Sequence, residues 1–314
     1  MEYREIGQTG LVSSEVIFGV IPLSPNQANL GPEKGSALIK YALDSGINHI
    51  DAAESYRVVP VLERLAKDYG NDFLLSYKSH AATYEDMSAA IDLVLKAMKR
   101  EALDIMYLHA AKEPAMFTKR AGALECLIDY KKKGKVRAIG VSSHIVSLIR
   151  EAAVHKDVDL VFSIVNIIGQ GLIGGTQEEM LEAMELAHQN NKGVIAMKAL
   201  AGGNLMNRVP EALAFVREIP WLSATALGMV SEAEIDINLR IFAGEEVSEE
   251  ELAPLRNPKR VIINRQCKGC GECVIACPSD ALYMENNRPV VIAEKCLVCG
   301  YCNPVCVHFA LRIV

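Results

Sequence analysis

At 314 residues, half of them hydrophobic, with 23% charged and a net charge of −6, the chain has material for one large buried core and a smaller second one. No apolar run approaches the roughly 18 uninterrupted residues of a membrane span, which excludes a membrane protein. The densest basic run, YKKKGKVR, reads as a solvated helix end and turn, which excludes a nucleic-acid partner.

The start, MEYREIGQTG, is charged and lacks an apolar export core, so the expected location is the cytoplasm. The segment YREIGQTGLVSSEV predicts a hairpin plugging the floor of the larger domain. Short β-branched runs then alternate with longer amphipathic segments. The predicted strands are EVIFGV, INHIDAA, FLLSYK, DIMYLHA, VRAIGVSS, LVFSIVN, GVIAMKAL and LSATALGM. Between them, EDMSAAIDLVLKAMKR and TQEEMLEAMELAHQN carry apolar residues at helical spacing, with carboxylates near their starts where the helix dipole favours them. This alternation predicts an α/β fold: a (β/α)8 TIM barrel with an N-terminal β-hairpin over residues 1–244, rather than an open sheet. AGEEVSEEELAPLRNPKR is acidic and then proline-punctuated, which predicts a helical connection and linker over 245–260. Cys126, within GALECLIDY, reads as a small buried apolar residue rather than a redox thiol.

In such a barrel, chemistry belongs at the C-terminal ends of the strands. Those ends carry Asp51, with Tyr56 just beyond it, then Lys78, His109, Ser142 and Ser143. A tyrosine becomes a useful proton donor near neutral pH when a lysine ammonium stabilises its phenolate, and a carboxylate holds that lysine in place. A neutral histidine beside them orients a carbonyl oxygen. The four residue types make one coherent carbonyl-reducing site, with His144 close by.

The segments GINHIDAAESY, LLSYKSH, DIMYLHA and AIGVSSH resemble the aldo-keto reductase family, in order over nearly the whole barrel. The resemblance implies Tyr56 as general acid, Lys78 and Asp51 as the pair that tunes it, and His109 as the residue that positions an aldehyde or ketone. It further implies a nicotinamide dinucleotide stretched over the barrel mouth. Ser142, Ser143 and Asn166 then face the carboxamide, Gly202 and Gly203 of LAGGN approach the pyrophosphate, and Gly228, Ser231, Glu234 and Asn238 of GMVSEAEIDINL approach the adenosine. The chain departs from the pattern in three places. Ser143 stands where many relatives have asparagine, Phe162 where a carboxamide-binding glutamine is frequent, and RVVPVLERLAK lacks the expected glycine-serine pattern. No lysine or arginine lies between Gly228 and Leu239, and Glu234 would repel a 2′-phosphate, so NAD is expected over NADP.

The C-terminal region, 261–314, carries one arrangement twice. RQCKGCGECVIACPSDAL places Cys267, Cys270, Cys273 and Cys277, and EKCLVCGYCNPVCVHFAL places Cys296, Cys299, Cys302 and Cys306. In C-x2-C-x2-C-x3-C, three thiolates wrap one iron–sulfur cube and the fourth ligates the other. The rule predicts Cys267, Cys270, Cys273 and Cys306 around one [4Fe-4S] cluster, and Cys296, Cys299, Cys302 and Cys277 around the second. Zinc and a disulfide framework are the competing readings: zinc needs no third cysteine at this interval, and a disulfide framework suits a small secreted chain rather than the end of a long one with no export signal. Ala281 and Leu282 are answered by Ala310 and Leu311, so the halves form a pseudo-symmetric pair, although Pro278 is answered by Val307. This region resembles a bacterial-type ferredoxin: a small α+β domain binding two [4Fe-4S] clusters.

Together, the two parts are similar to the iron–sulfur branch of the aldo-keto reductases. The expected function is reversible reduction of an aldehyde or ketone, with hydride from NAD(P)H and a proton from Tyr56, while the clusters exchange electrons with a ferredoxin or flavoprotein. Two readings stand beside it. One is an electron-transfer protein whose barrel is a docking body, and the other is a reductase fed by the clusters without nicotinamide. A purely structural role, with the ferredoxin closing the barrel mouth, also stays open.

Overall fold

The computed structural model describes every residue except 26, 110–114, 256–259, 304, 309 and 314. A short antiparallel hairpin, β1 (Tyr3–Glu5) and β2 (Val12–Ser14), comes first. It is followed by β3 (Val16–Gly19), β4 (His49–Asp51), β5 (Leu74–Ser79), β6 (Leu103–Leu108), β7 (Val136–Ser143), β8 (Leu160–Ile164), β9 (Gly193–Met197) and β10 (Ala224–Gly228). These strands run parallel, and β10 pairs back onto β3 to close a barrel. Each predicted strand segment overlaps one of them, β5 running one residue past FLLSYK and β6 starting one residue before DIMYLHA; Ala110, at the end of DIMYLHA, lies outside the described residues.

The strands read as near-continuous apolar runs because both of their faces are covered. Val16, Phe18, Ile50, Leu75 and Val141 face the surrounding helices, while Ile17, Ile105, Tyr107, Leu160, Phe162 and Ile195 fill the barrel interior. The helices begin where short polar side chains take up unpaired backbone N–H groups. Thr83 accepts from the Asp86 amide, and Thr176 forms a reciprocal pair with Glu179.

The hairpin does close the barrel floor, since Ile6 and Leu11 pack into the interior cluster. Gly7 makes this possible. Its φ is +53°, and a Cβ there would lie 2.3 Å from the Gly193 nitrogen.

Just above the hairpin, His49 is fully buried between the hydroxyls of Ser13 and Ser76, at 2.9 and 3.1 Å. Burial, helped by the Lys78 charge, pushes the imidazole down to about 3. A histidine held neutral this way favours the fold above its ordinary value of about 6.5, and that contribution is lost as pH falls and the unfolded chain takes up the proton. Between pH 7 and 5 the loss from this group is about 2 kcal/mol. Urea unfolding of wild type and His49→Gln at the two pH values measures it: the variant should show the shallower pH dependence, and equal slopes would contradict the assignment.

The acidic connection forms a helix turn, Glu249–Leu252, whose Ser248 and Glu251 cap each other, and then a tight turn, Ala253–Leu255. Beyond it, β11 (Val261–Ile263) pairs with β14 (Leu311–Ile313), and β12 (Leu282–Glu285) pairs with β13 (Arg288–Val291), both antiparallel. The cysteine repeat is visible in three dimensions. Ala281, Leu282, Ala310 and Leu311 are all buried. The Ala281 amide lies 3.2 Å from the Cys277 sulfur, and the Ala310 amide 3.3 Å from that of Cys306. Among the described residues no helix is long and apolar enough to cross a membrane.

Candidate active site and cluster sites

The ends of β4, β5 and β6 and the turn Glu54–Tyr56 bring Asp51, Tyr56, Lys78 and His109 together, all of them buried, with Lys78 only 1% exposed. The Lys78 ammonium donates to the Asp51 carboxylate and, at 3.3 Å, to the Ala52 carbonyl; Ser76 donates to Asp51 at 2.9 Å. Three aromatic faces enclose the ammonium, with ring centres at 5.3 Å for Tyr56, 5.8 Å for Tyr107 and 5.1 Å for Phe162. Ring faces are negative, so this cage stabilises a buried cation. It also gives Phe162 a physical role, as a wall of the lysine cage.

Electrostatics differ from the expectation of an acidified phenol. Tyr56 is held well above its ordinary value by burial first, then by the Tyr301 phenol and the Asp51 charge. Burial drives Asp51 up and Lys78 down, each opposed by the other's charge. His109 is pushed well below its usual range by burial and by nearby His80, Lys78 and His144, so it stands neutral. With the ammonium engaged by Asp51, the buried Tyr56 phenol keeps its proton.

The remaining rim residues separate into two groups. Ser142 and Ser143 are buried at the end of β7, and the Ser143 hydroxyl accepts from the Ile145 amide. The Asn166 side chain is engaged within its own loop by the Gln170 backbone and the Ile168 amide. Gly202 and Gly203 form a tight turn after β9. Gly228, Ser231, Glu234 and Asn238 lie elsewhere, at the end of β10 and on the helix Glu232–Phe242. Ser231 caps that helix by accepting from the Glu234 amide, and the Glu234 carboxylate accepts from the Val230 amide at 2.7 Å.

The eight C-terminal cysteines ring two cavities. One is lined by Cys267, Cys270, Cys273 and Cys306. The other is lined by Cys277, Cys296, Cys299 and Cys302. Among the described residues no three His, Cys, Asp or Glu side chains gather closely enough to hold a single metal ion. Four thiols around each cavity match the donor set of a [4Fe-4S] cube. Cys126 is buried away from them, and burial pushes its thiol up to about 11.

The second cysteine loop lies directly on the barrel mouth. Tyr301, between Cys299 and Cys302, has its hydroxyl 3.3 Å from His109 Nε2 and its ring edge-on to Tyr56, with centres 6.5 Å apart. Asn204 and Gln170 donate side-chain amides to the Cys296 carbonyl at 2.8 and 3.1 Å, and Gln27 donates to that of Cys299 at 3.0 Å. Lys198, just past β9, is lowered by burial against the charge of Cys299, Cys277 and Cys296. Sequence reasoning missed Tyr301, whose signal was the contrast between Gly300-Tyr301 and Gly271-Glu272 in the repeat. It also missed Arg120, whose guanidinium donates to the carbonyls of Ser79, Ala81 and His109 at 2.8, 2.8 and 2.9 Å and so ties the ends of β5 and β6 together. An arginine four residues into a helix pattern carries no local sign of that task.

The model of the Aldo/keto reductase family matches residues 15–220. The chain belongs to the aldo/keto reductase family. Membership makes it an NAD(P)-dependent oxidoreductase of aldo-keto reductase type. A second match, to a 4Fe-4S dicluster domain, covers residues 259–307. L-glyceraldehyde 3-phosphate reductase of Escherichia coli is 25% identical over 279 residues, covering 77% of this chain and 75% of that one. L-galactose dehydrogenase of Arabidopsis thaliana is 23% identical over 225 residues, covering 67% and 69%. Among solved structures, an aldo-keto reductase from Bacillus halodurans superposes with a TM-score of 0.63 at 16% identity, over 82% of this chain and 97% of that one. A Pseudomonas aeruginosa protein assigned to the same family gives 0.66 at 19% identity, over 77% and 95%.

Within this aldo-keto reductase, the reaction end fits a nicotinamide and a carbonyl: a caged ammonium, a protonated phenol and a neutral imidazole converge there. At Gly202, where a pyrophosphate is expected, the second cysteine loop occupies the space. A Cβ added to Gly202 would lie 1.8 Å from the Leu297 carbonyl oxygen, so the backbone approach that a pyrophosphate requires is already filled by protein.

Proposed function

We propose that the protein catalyses the reversible reduction of an aldehyde or ketone to an alcohol, and that its two [4Fe-4S] clusters exchange electrons with a ferredoxin or flavoprotein partner. The reading is carried by one observation: Tyr56, Lys78, Asp51 and His109 converge as a buried group at the C-terminal ends of adjacent barrel strands. When bound, the nicotinamide supplies hydride. Neutral His109 orients the carbonyl oxygen, Tyr56 gives that oxygen a proton, and Lys78 held on Asp51 steadies the phenolate left behind. In the cluster domain, Cys267, Cys270, Cys273 and Cys306 hold one cube, and Cys277, Cys296, Cys299 and Cys302 the other. The barrel then spans 1–244, the connection 245–260 and the cluster domain 261–314.

Two results test this reading. In anaerobic assays of the holoprotein with small aldehydes, NADH consumption should match alcohol formation, and NADH should be preferred to NADPH because Ser231–Asn238 offers no cation to a 2′-phosphate. A reductase fed by the clusters alone is favoured by the filled space at Gly202. It would be recognised by alcohol formed with reduced viologen while neither nicotinamide is consumed. The crosswise ligation has its own readout: Cys306→Ser should remove the cluster of the first motif, lowering the integrated spin of the reduced protein from about two to about one. Loss of the second motif's signal instead would refute the sharing.

A further inference from the structure

The loop from Cys296 to Cys302 meets the barrel at both ends of the groove that an extended dinucleotide and its substrate would share. At the reaction end, the Tyr301 oxygen lies 3.3 Å from His109 Nε2, and its ring packs edge-on against His109 and His80, with centres at 6.3 and 6.5 Å. A phenol oxygen facing a neutral imidazole beside the Tyr56 hydroxyl stands where the carbonyl oxygen of a substrate would be received. At the other end, the Leu297 carbonyl fills the space over Gly202, and the Leu297 side chain fills that over Gly171, where an added Cβ would meet it at 2.5 Å. Gly202 has a φ of +69°, so its lack of a side chain serves both the turn and the close approach of Leu297.

Burial of Leu297 and a set of uncharged hydrogen bonds hold the loop down. The amides of Asn204, Gln170 and Gln27 donate to the backbone carbonyls of Cys296 and Cys299. Hydrogen bonds of this kind are individually modest, about 1 kcal/mol net in water, and suit a contact that opens and recloses. The carbonyls they hold belong to two residues lining the second cluster cavity, so lifting the loop displaces that side of the cavity from the barrel.

We propose that the 296–302 loop is an internal ligand of the barrel: Tyr301 takes the place of the substrate oxygen and Leu297 that of the pyrophosphate, so docking of the second cluster loop and binding of dinucleotide and carbonyl exclude one another. The inference rests on the reading of Tyr56, Lys78, Asp51 and His109 as the reaction site. By linkage, whatever weakens docking strengthens both ligands by the same factor, because apparent affinity scales with the open fraction. Tyr301 is thereby a specificity-determining residue: a carbonyl compound enters only by replacing its hydroxyl at His109.

The test uses the anaerobic, cluster-loaded full chain. NADH affinity is measured by titration of nicotinamide fluorescence, and exposure of the second cluster by its rate of bleaching with a chelator. Removing two of the latching amides in the double variant Gln170→Ala/Asn204→Ala should tighten NADH on the order of tenfold and speed bleaching. In wild type, saturating NADH should itself speed bleaching. Tyr301→Phe keeps the ring but removes the oxygen, so the aldehyde KM should fall with kcat moving less. Unchanged NADH affinity and bleaching in the double variant, or no NADH binding by any of these proteins, overturns the proposal. The two readings fail separately. If Tyr56→Phe keeps full turnover while the latch variant still tightens NADH, the reaction-site assignment is wrong, with it the place given to Tyr301, and the exclusion of dinucleotide by the loop stands. If Tyr56→Phe loses turnover and the latch variant changes nothing, the loop is a fixed cover and the reaction-site assignment survives.

Discussion

Tyr56→Phe is expected to lower carbonyl turnover on the order of 10²- to 10⁴-fold, the usual scale of a lost general acid, with both cluster spectra and the unfolding midpoint retained. The phenyl ring fills the same space beside His109 and over the Lys78 ammonium, at 6.0 and 5.3 Å between ring centres and from ring centre to nitrogen, so nothing but the proton and its hydrogen bond is removed. The upward displacement of the Tyr56 phenol by burial, the Tyr301 phenol and the Asp51 charge sets the pH dependence. In the reduction direction the donor stays loaded through the neutral and mildly alkaline range, so the rate is flat there. In the oxidation direction the phenolate is the base, and its fraction rises about tenfold per pH unit below the phenol's own value. Steady-state rates in both directions between neutral and alkaline pH measure this, and a reduction rate that collapses just above neutrality would point to a different donor.

Lys78→Met is the second large effect. The variant should unfold about 3–5 kcal/mol more easily, because it strands the buried Asp51 carboxylate with Ser76 as its remaining side-chain donor. Methionine is close in length to the lysine stem and packs well against the Tyr56, Tyr107 and Phe162 rings that enclose the site, so a cavity does not explain the loss. Adding Asp51→Asn should therefore restore part of the stability, since the charge that needed a partner is gone. Denaturant unfolding of the two single variants and the double variant gives the coupling directly. If the losses simply add, the ion pair is not what holds these strand ends together.

Much of this was legible in the residues. The alternation of β-branched and amphipathic segments specified the closed barrel, since strands covered on both faces must be apolar throughout and the helices between them on one face only. The strand ends carrying Asp51, Lys78 and His109 follow from that register, and the turn bearing Tyr56 follows β4 directly. The crosswise quartets around the two cavities were implicit in the cysteine interval, because three thiolates so close in sequence reach one cube and the fourth cannot. The direction of the Tyr56 shift was not legible. It depends first on how deeply the phenol is buried, then on the phenol contributed from residue 301 and the nearby Asp51 charge, none of which spacing records. Phe162 looked like a defect in a cofactor contact; its place against the ammonium emerges only when the barrel closes and Lys78 of β5 and Phe162 of β8, on strands that do not pair, meet in its interior.

What the chain's order of residues determined by itself was therefore local and periodic: which segments are strands, which side chains end them, and which cysteines line one cavity. Only the tertiary structure decided that the second cysteine loop rests on the barrel mouth, with Tyr301 at His109 and Leu297 over Gly202. Secondary structure and cluster spacing are set by neighbours within a few residues. The docking of one domain on another is set by the fit of two surfaces nearly two hundred residues apart in sequence, as between His109 and Tyr301, and no pattern along the chain encodes that fit.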